Sequence, residues 1–132
     1  MIVEPAPRAP GGNEPLRAAG DQLRAAVVEA LNKKGHSDLP FYPSFIERDN
    51  QASGVEVTPS NPRLSYPYWA HRRRMGVMIE THSYKTYAVR VATTRDTLVA
   101  LIAQAFDQAR TWEKLSTQAL ESDAAKTSLS RI

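Results

Sequence analysis

The stretch Arg74-Met75-Gly76-Val77-Met78-Ile79-Glu80-Thr81-His82-Ser83-Tyr84-Lys85 constrains this chain more than any other. Its short apolar run, opened by Gly76 and containing the β-branched Val77 and Ile79, predicts a strand buried on both faces. In period two, Val77 and Ile79 face one side while Met78, Glu80 and His82 face the other. The run stops at the Glu80 carboxylate. In open α/β sheets ligands collect just beyond the carboxyl ends of such strands, so an acid there is a candidate catalytic group. The competing reading is a structural ion pair between Glu80 and Lys85 or a neighbouring arginine.

With 132 residues the chain is long enough for one domain. Its ends look poor in core-forming residues. Residues 1–15 carry four prolines and Gly11-Gly12, which predicts an extended or turn-rich arm. Residues 121–132 predict a frayed polar tail, leaving 16–120 as the folded part. The net charge of +3 is concentrated: Arg63, Arg72, Arg73, Arg74, Lys85 and Arg90 stand against Glu80 alone between residues 63 and 90. Such a patch suits nucleic acid, an anionic surface, or a site receiving carboxylates or phosphates. With no cysteine, disulfide scaffolds, cysteine nucleophiles and thiolate metal sites are excluded. Neither a signal-peptide pattern nor an apolar window of membrane-spanning length is apparent, so the expectation is a soluble, cytoplasmic chain.

Leu16, Ala19, Leu23, Val27 and Leu31 recur at helical spacing between Arg17, Asp21, Arg24 and Glu29, predicting a surface helix over 16–34 with one buried face. Asn13 and Pro15 suit its start, and Lys33, Lys34 and Gly35 its end. From His36 to Pro67 five prolines predict mostly loop, with Phe41–Ile46 and Val55–Val57 as short strands. Tyr66, Tyr68 and Trp69 are expected to pack beneath that loop, ahead of a helical turn at 69–73. Beyond the strand, Thr93 or Thr94 is predicted to cap a long helix with Asp96 in its first turn. Leu98, Leu101, Ile102, Ala105, Phe106, Ala109 and Trp112 form its apolar stripe, whose expected partner is the strand.

Conventional catalytic motifs are absent. There is no His-Glu-x-x-His, no phosphate-binding glycine loop and no Gly-x-Ser-x-Gly elbow. His36 at a helix end suits a solvated role, and His71 lies beside three arginines, which disfavour a bound cation. Glu80 and His82 supply two potential metal ligands, whereas zinc takes at least three from a protein. Arg72-Arg73-Arg74 reads as a solvated basic face, because the nearby aromatics lack the pattern of a nucleic-acid-binding strand.

Taken together, Pro62-Arg63-Leu64-Ser65-x-x-Tyr68, the segment 72–87 and Arg90-Val91-x-x-Thr94 resemble the carboxyl-terminal portion of bacterial zinc carboxypeptidases of the carboxypeptidase A type. The similarity covers about residues 16–109, and Glu80-Thr81-His82-Ser83-x-Lys85-x-Tyr87 is its most specific part. The resemblance implies an α/β/α fold around a mixed sheet, with a glutamate ending a late strand and a long final helix. It implies a zinc metallopeptidase acting on the carboxyl-terminal bond of a peptide, with Glu80 as general base. An acid on a poorly hydrated face beside Met78 suits proton transfer in both directions. Tyr66 and Tyr68 are the nearest candidates for a mobile active-site tyrosine, and His82, Lys85 and Arg90 match the motif as groups that shape the substrate site.

The departures are equally specific. The family's His-x-x-Glu pair, its later histidine and its early carboxylate-gripping arginine have no counterpart here, so no metal ligand is assigned and zinc is expected only for a complete family enzyme. The expectation is a carboxyl-terminal segment, either self-associating or complemented by an amino-terminal segment. The alternative is a non-catalytic basic module that binds an acidic partner or nucleic acid. Alone, the chain is expected to release no carboxyl-terminal amino acids. One tightly bound zinc per chain together with peptidase activity overturns that expectation.

Overall fold

The computed structural model describes residues 1–6, 13–39, 44–56, 61 and 63–129. They form a mixed α/β arrangement of three helices and two small antiparallel sheets. In chain order these are β1 (Ile2–Ala6), α1 (Glu14–Asn32), β2 (Ser44–Glu47), β3 (Asn50–Glu56), α2 (Ser65–His71), β4 (Gly76–Glu80) and α3 (Tyr87–Leu129).

Helix α1 follows its sequence pattern closely. The Asn13 side chain accepts a hydrogen bond from the Leu16 amide at 3.1 Å, satisfying one of the unpaired donors of the first turn. Past the carboxyl end, Gly35 adopts φ +76, a conformation that stops the helix at little steric cost. All five stripe residues, Leu16, Ala19, Leu23, Val27 and Leu31, are buried. Full burial of such a leucine or valine contributes about 2 kcal/mol.

The first six residues depart from the expected arm. Residues 2–6 instead form β1, which pairs antiparallel with β4 and sets Val3 opposite Ile79 and Ile2 opposite Glu80. Pairing hides Met1, Ile2 and Val3, and this burial outweighs the turn preference of the neighbouring prolines and glycines. One sheet face carries Val3, Val77 and Ile79, and packs with Met1, Leu23, Val27, Leu31, Leu101 and Trp112. On the other face Met78 packs against Tyr66 and Ala70 of α2. The alternation read from the sequence holds. The expected burial on both faces does not: β4 is half-buried, and among the described residues its one strand neighbour is β1.

Strands β2 and β3 form a hairpin that leaves Phe45, Ile46 and Val55 exposed. Residues 41–43 and 57 of the two strands expected here lie outside the described residues. Helix α2 starts at Ser65, ahead of the turn expected at 69–73, with Pro67 in its first turn where no intrahelical N–H bond is needed. Of the three aromatics expected to pack, Tyr66 is buried while Tyr68 and Trp69 are about half exposed.

Helix α3 starts at Tyr87 rather than near Thr94. Thr86 performs the cap: its Oγ1 accepts a long hydrogen bond from the Val89 amide at 3.5 Å, and its carbonyl accepts from Arg90 at 3.0 Å. The expected tail from 121 is helical to Leu129, because the segment lacks proline and glycine. The Arg73 guanidinium also holds Asp123 at 2.6 Å. The orientation of α3 is a further correction. Its apolar stripe packs only in part, through Leu101 and Trp112, while Leu98, Ile102 and Phe106 are exposed. The buried face toward α1 carries Thr93, Asp96 and Thr97. Among the described residues no helix is long and apolar enough to cross a membrane.

Gly76 sets the approach of α2 to β4. A Cβ there would lie 2.6 Å from the Tyr66 carbonyl oxygen, a backbone atom with little freedom to move. Gly76→Ala is expected to destabilise the fold by about 1–3 kcal/mol. Denaturant unfolding of the two proteins checks this.

Candidate functional site

The segment 80–90 joins the end of β4 to the first turn of α3 and carries most of the candidate side chains. Glu80 ends β4, opposite Ile2 in register. Its side chain is exposed, so the poorly hydrated setting expected for it is not provided by these residues. Nor does the structure contain the structural ion pair considered above. Among the described residues, the Glu80 carboxylate has no salt-bridge or hydrogen-bond partner, although Arg74, Lys85 and Arg90 are close in sequence.

His82, Lys85 and Arg90 converge. They line a cavity of about 130 Å³ together with Thr81, Val89 and Thr93, and with Met1, Gly35, His36 and Ser37 from the chain start and the end of α1. The His82 ring stacks on Tyr84 at 5.0 Å, and Lys85 Nζ lies 5.9 Å from the centre of the same ring. Arg90 Nε donates to Thr81 Oγ1 at 3.5 Å, a long bond that ties α3 back to the end of β4. Glu80, Tyr66 and Tyr68 do not line this cavity. Tyr66, on α2, packs against Met78, and Tyr68 meets Trp69 edge to face at 5.5 Å.

His36 departs from the solvated role expected for a helix end. Its Nε2 lies 2.9 Å from Asp96 Oδ2 and its Nδ1 3.1 Å from Thr93 Oγ1, which fixes the ring between α1 and α3. Asp96 in turn accepts from Lys34 at 3.0 Å and Arg95 at 2.9 Å. These partners, His36 foremost, hold the Asp96 carboxyl well below the usual carboxylate range. The sequence signal for this cluster was limited to Asp96 near a helix start, since its partners lie about sixty residues away.

Among the described residues no three histidine or acidic side chains are grouped to hold a metal ion. His36 and Asp96 are committed to each other, and Glu80 does not share the cavity with His82. These donors do not fit a zinc site. Comparison with protein-family models, curated proteins and solved structures finds no match to this chain.

The Asp96 cluster makes stability acid-sensitive. A carboxyl held below its unfolded value stabilises the fold above that value, and the contribution is lost as pH falls through it toward the folded one. The thermal stability of the chain is therefore expected to fall below about pH 4. Asp96→Asn should be less stable at neutral pH and show a shallower acid limb, measured as Tm against pH.

Proposed function

We propose that this chain is the carboxyl-terminal part of a zinc-dependent carboxypeptidase of the carboxypeptidase A type, with Glu80 as its general base. The observation that carries the reading is the exposed, unpaired Glu80 carboxylate at the carboxyl end of β4. Other acids in the same basic chain have found cationic partners: Asp38 pairs with Arg24, Asp96 with Lys34 and Arg95, and Asp123 with Arg73. Among the described residues Asp21, Asp107 and Glu113 also lack an ion pair, but they lie on helices, whereas Glu80 ends a strand. Glu80 keeps its lone pairs available for a proton.

In the proposed reaction a Glu80 oxygen accepts a proton as water attacks the scissile carbonyl, and the same carboxyl then donates it to the departing amine. The residues described here supply the base and the strand that aims it. The metal ligands and the groups that grip the substrate carboxylate belong to other parts of such an enzyme.

Uncovered apolar surface supports the same reading. Leu98, Ile102 and Phe106 are exposed along α3, and among the described residues one edge of β4 is unpaired, both surfaces that the remaining strands and helices of an α/β/α domain would bury. The test is a chimera joining this chain to an amino-terminal segment that carries the His-x-x-Glu pair and later histidine of the family. With zinc bound it is expected to release carboxyl-terminal residues, and Glu80→Gln should lower kcat on the order of a hundredfold or more without changing zinc content or circular dichroism. A folded, zinc-loaded chimera that is inactive, or one indifferent to Glu80→Gln, overturns the proposal.

A further inference from the structure

The cavity where the end of β4, the first turn of α3 and the end of α1 meet is unusually one-sided in charge. Lys85 and Arg90 line it, His82 adds a ring, Thr81 and Thr93 add hydroxyls, and among the described residues no carboxylate lines it. Asp96, the acid behind His36, is already met by Lys34, Arg95 and His36, so it offsets little of the charge facing the cavity. Asp38, the other nearby acid, is paired with Arg24 through Oδ2, while among the described residues its buried Oδ1 has no partner.

The cations are also uncommitted. Among the described residues Lys85 Nζ has no hydrogen-bond or ionic partner beyond its contact with the Tyr84 ring. Among the described residues Arg90 uses only Nε, toward Thr81, leaving both terminal nitrogens as donors. The long bond to Thr81 and the contact with Tyr84 hold the two side chains at the cavity without consuming their donors. The first turn of α3 adds the positive end of a helix dipole on the same side. Burial lowers the Met1 amine from its ordinary value, Asp38 opposes that shift, and Lys85 adds a smaller lowering effect.

Size narrows the occupant. A cavity of about 130 Å³ has room for a compact anion with one or two waters, or for the terminal group of a larger molecule that extends into solvent. A planar guanidinium fork, a compact ammonium, a ring N–H and a hydroxyl, presented by the turn 81–86 and the start of α3, match a tetrahedral set of acceptor oxygens better than a flat carboxylate. We infer that this cavity binds a phosphate group, either free phosphate or the terminal group of a phosphomonoester, through Lys85 and Arg90 with His82 and the Thr81 hydroxyl completing its shell. The inference does not depend on the peptidase reading.

Titration of the intact chain with inorganic phosphate at low salt tests it, with amide NMR shifts as the readout. Expected are saturable one-to-one binding and shifts centred on His82, Arg90 and Thr93. The Lys85→Gln/Arg90→Gln double variant should bind at least tenfold more weakly. Arg72→Gln, which alters a separate surface beside Trp69 and Leu120, should leave the affinity unchanged. Methyl phosphate distinguishes the source: comparable binding assigns a phosphomonoester, and binding of inorganic phosphate alone assigns the free anion. Acetate binding as tightly as phosphate overturns the assignment, as does a lack of saturation or an equal loss in Arg72→Gln. Should the double variant fail to fold, the unaltered chain still decides the matter. Its Tm must rise more in phosphate than in chloride of equal ionic strength, and an equal rise overturns the site.

Discussion

The apolar stripe of α1 is the surface on which the rest of this chain is assembled. Both β1 and α3 pack on it, and its residues from Leu23 to Leu31 form one core with Met1 and Val3. The carboxyl end of α1 then brings Lys34 and His36 to Asp96, a polar contact that fixes how α3 is rotated. Thr93, Asp96 and Thr97 turn inward as a result, and Leu98, Ile102 and Phe106 turn outward. A few hydrogen bonds at a helix end thus decide which surface remains for something else to cover.

Local signals were legible where a single element carried them. The three- and four-residue spacing, Asn13 and Gly35 placed α1, and the alternation around Met78 divided β4 correctly between its two faces. Residues 2–6 were opaque because a strand this short, set among prolines, owes its conformation to a distant partner rather than to propensity. The start of α3 was misplaced because three threonines compete for the cap, and Thr86 prevails when nothing between Tyr87 and Ala92 interrupts a helix. The polar end of α3 illustrates a related confusion: lack of an apolar stripe is not lack of helix.

The candidate site divides in the same way. His82, Lys85 and Arg90 lie within one turn-and-helix start, so their convergence follows from sequence proximity. His36, Thr93 and Asp96 meet across about sixty residues, and no local pattern announces them. Glu80 stood out by type and position. Its lack of an ionic partner among the described residues depended on the paths taken by Lys85 and Arg90, both of which line the cavity.

The pairing of β1 with β4 has a consequence for how this chain acquires its structure. Ile2 and Glu80 are partners nearly eighty residues apart, and closing a loop of that length costs about 4 kcal/mol in chain entropy. Helices α1 and α3 can begin to form locally within microseconds, whereas the sheet must wait for its two strands to meet. On a ribosome the delay is longer. Residues 2–6 emerge several seconds before residues 76–80 at ordinary elongation rates. Throughout that interval Met1, Ile2 and Val3, among the most deeply covered side chains of the finished fold, have no strand to pair with.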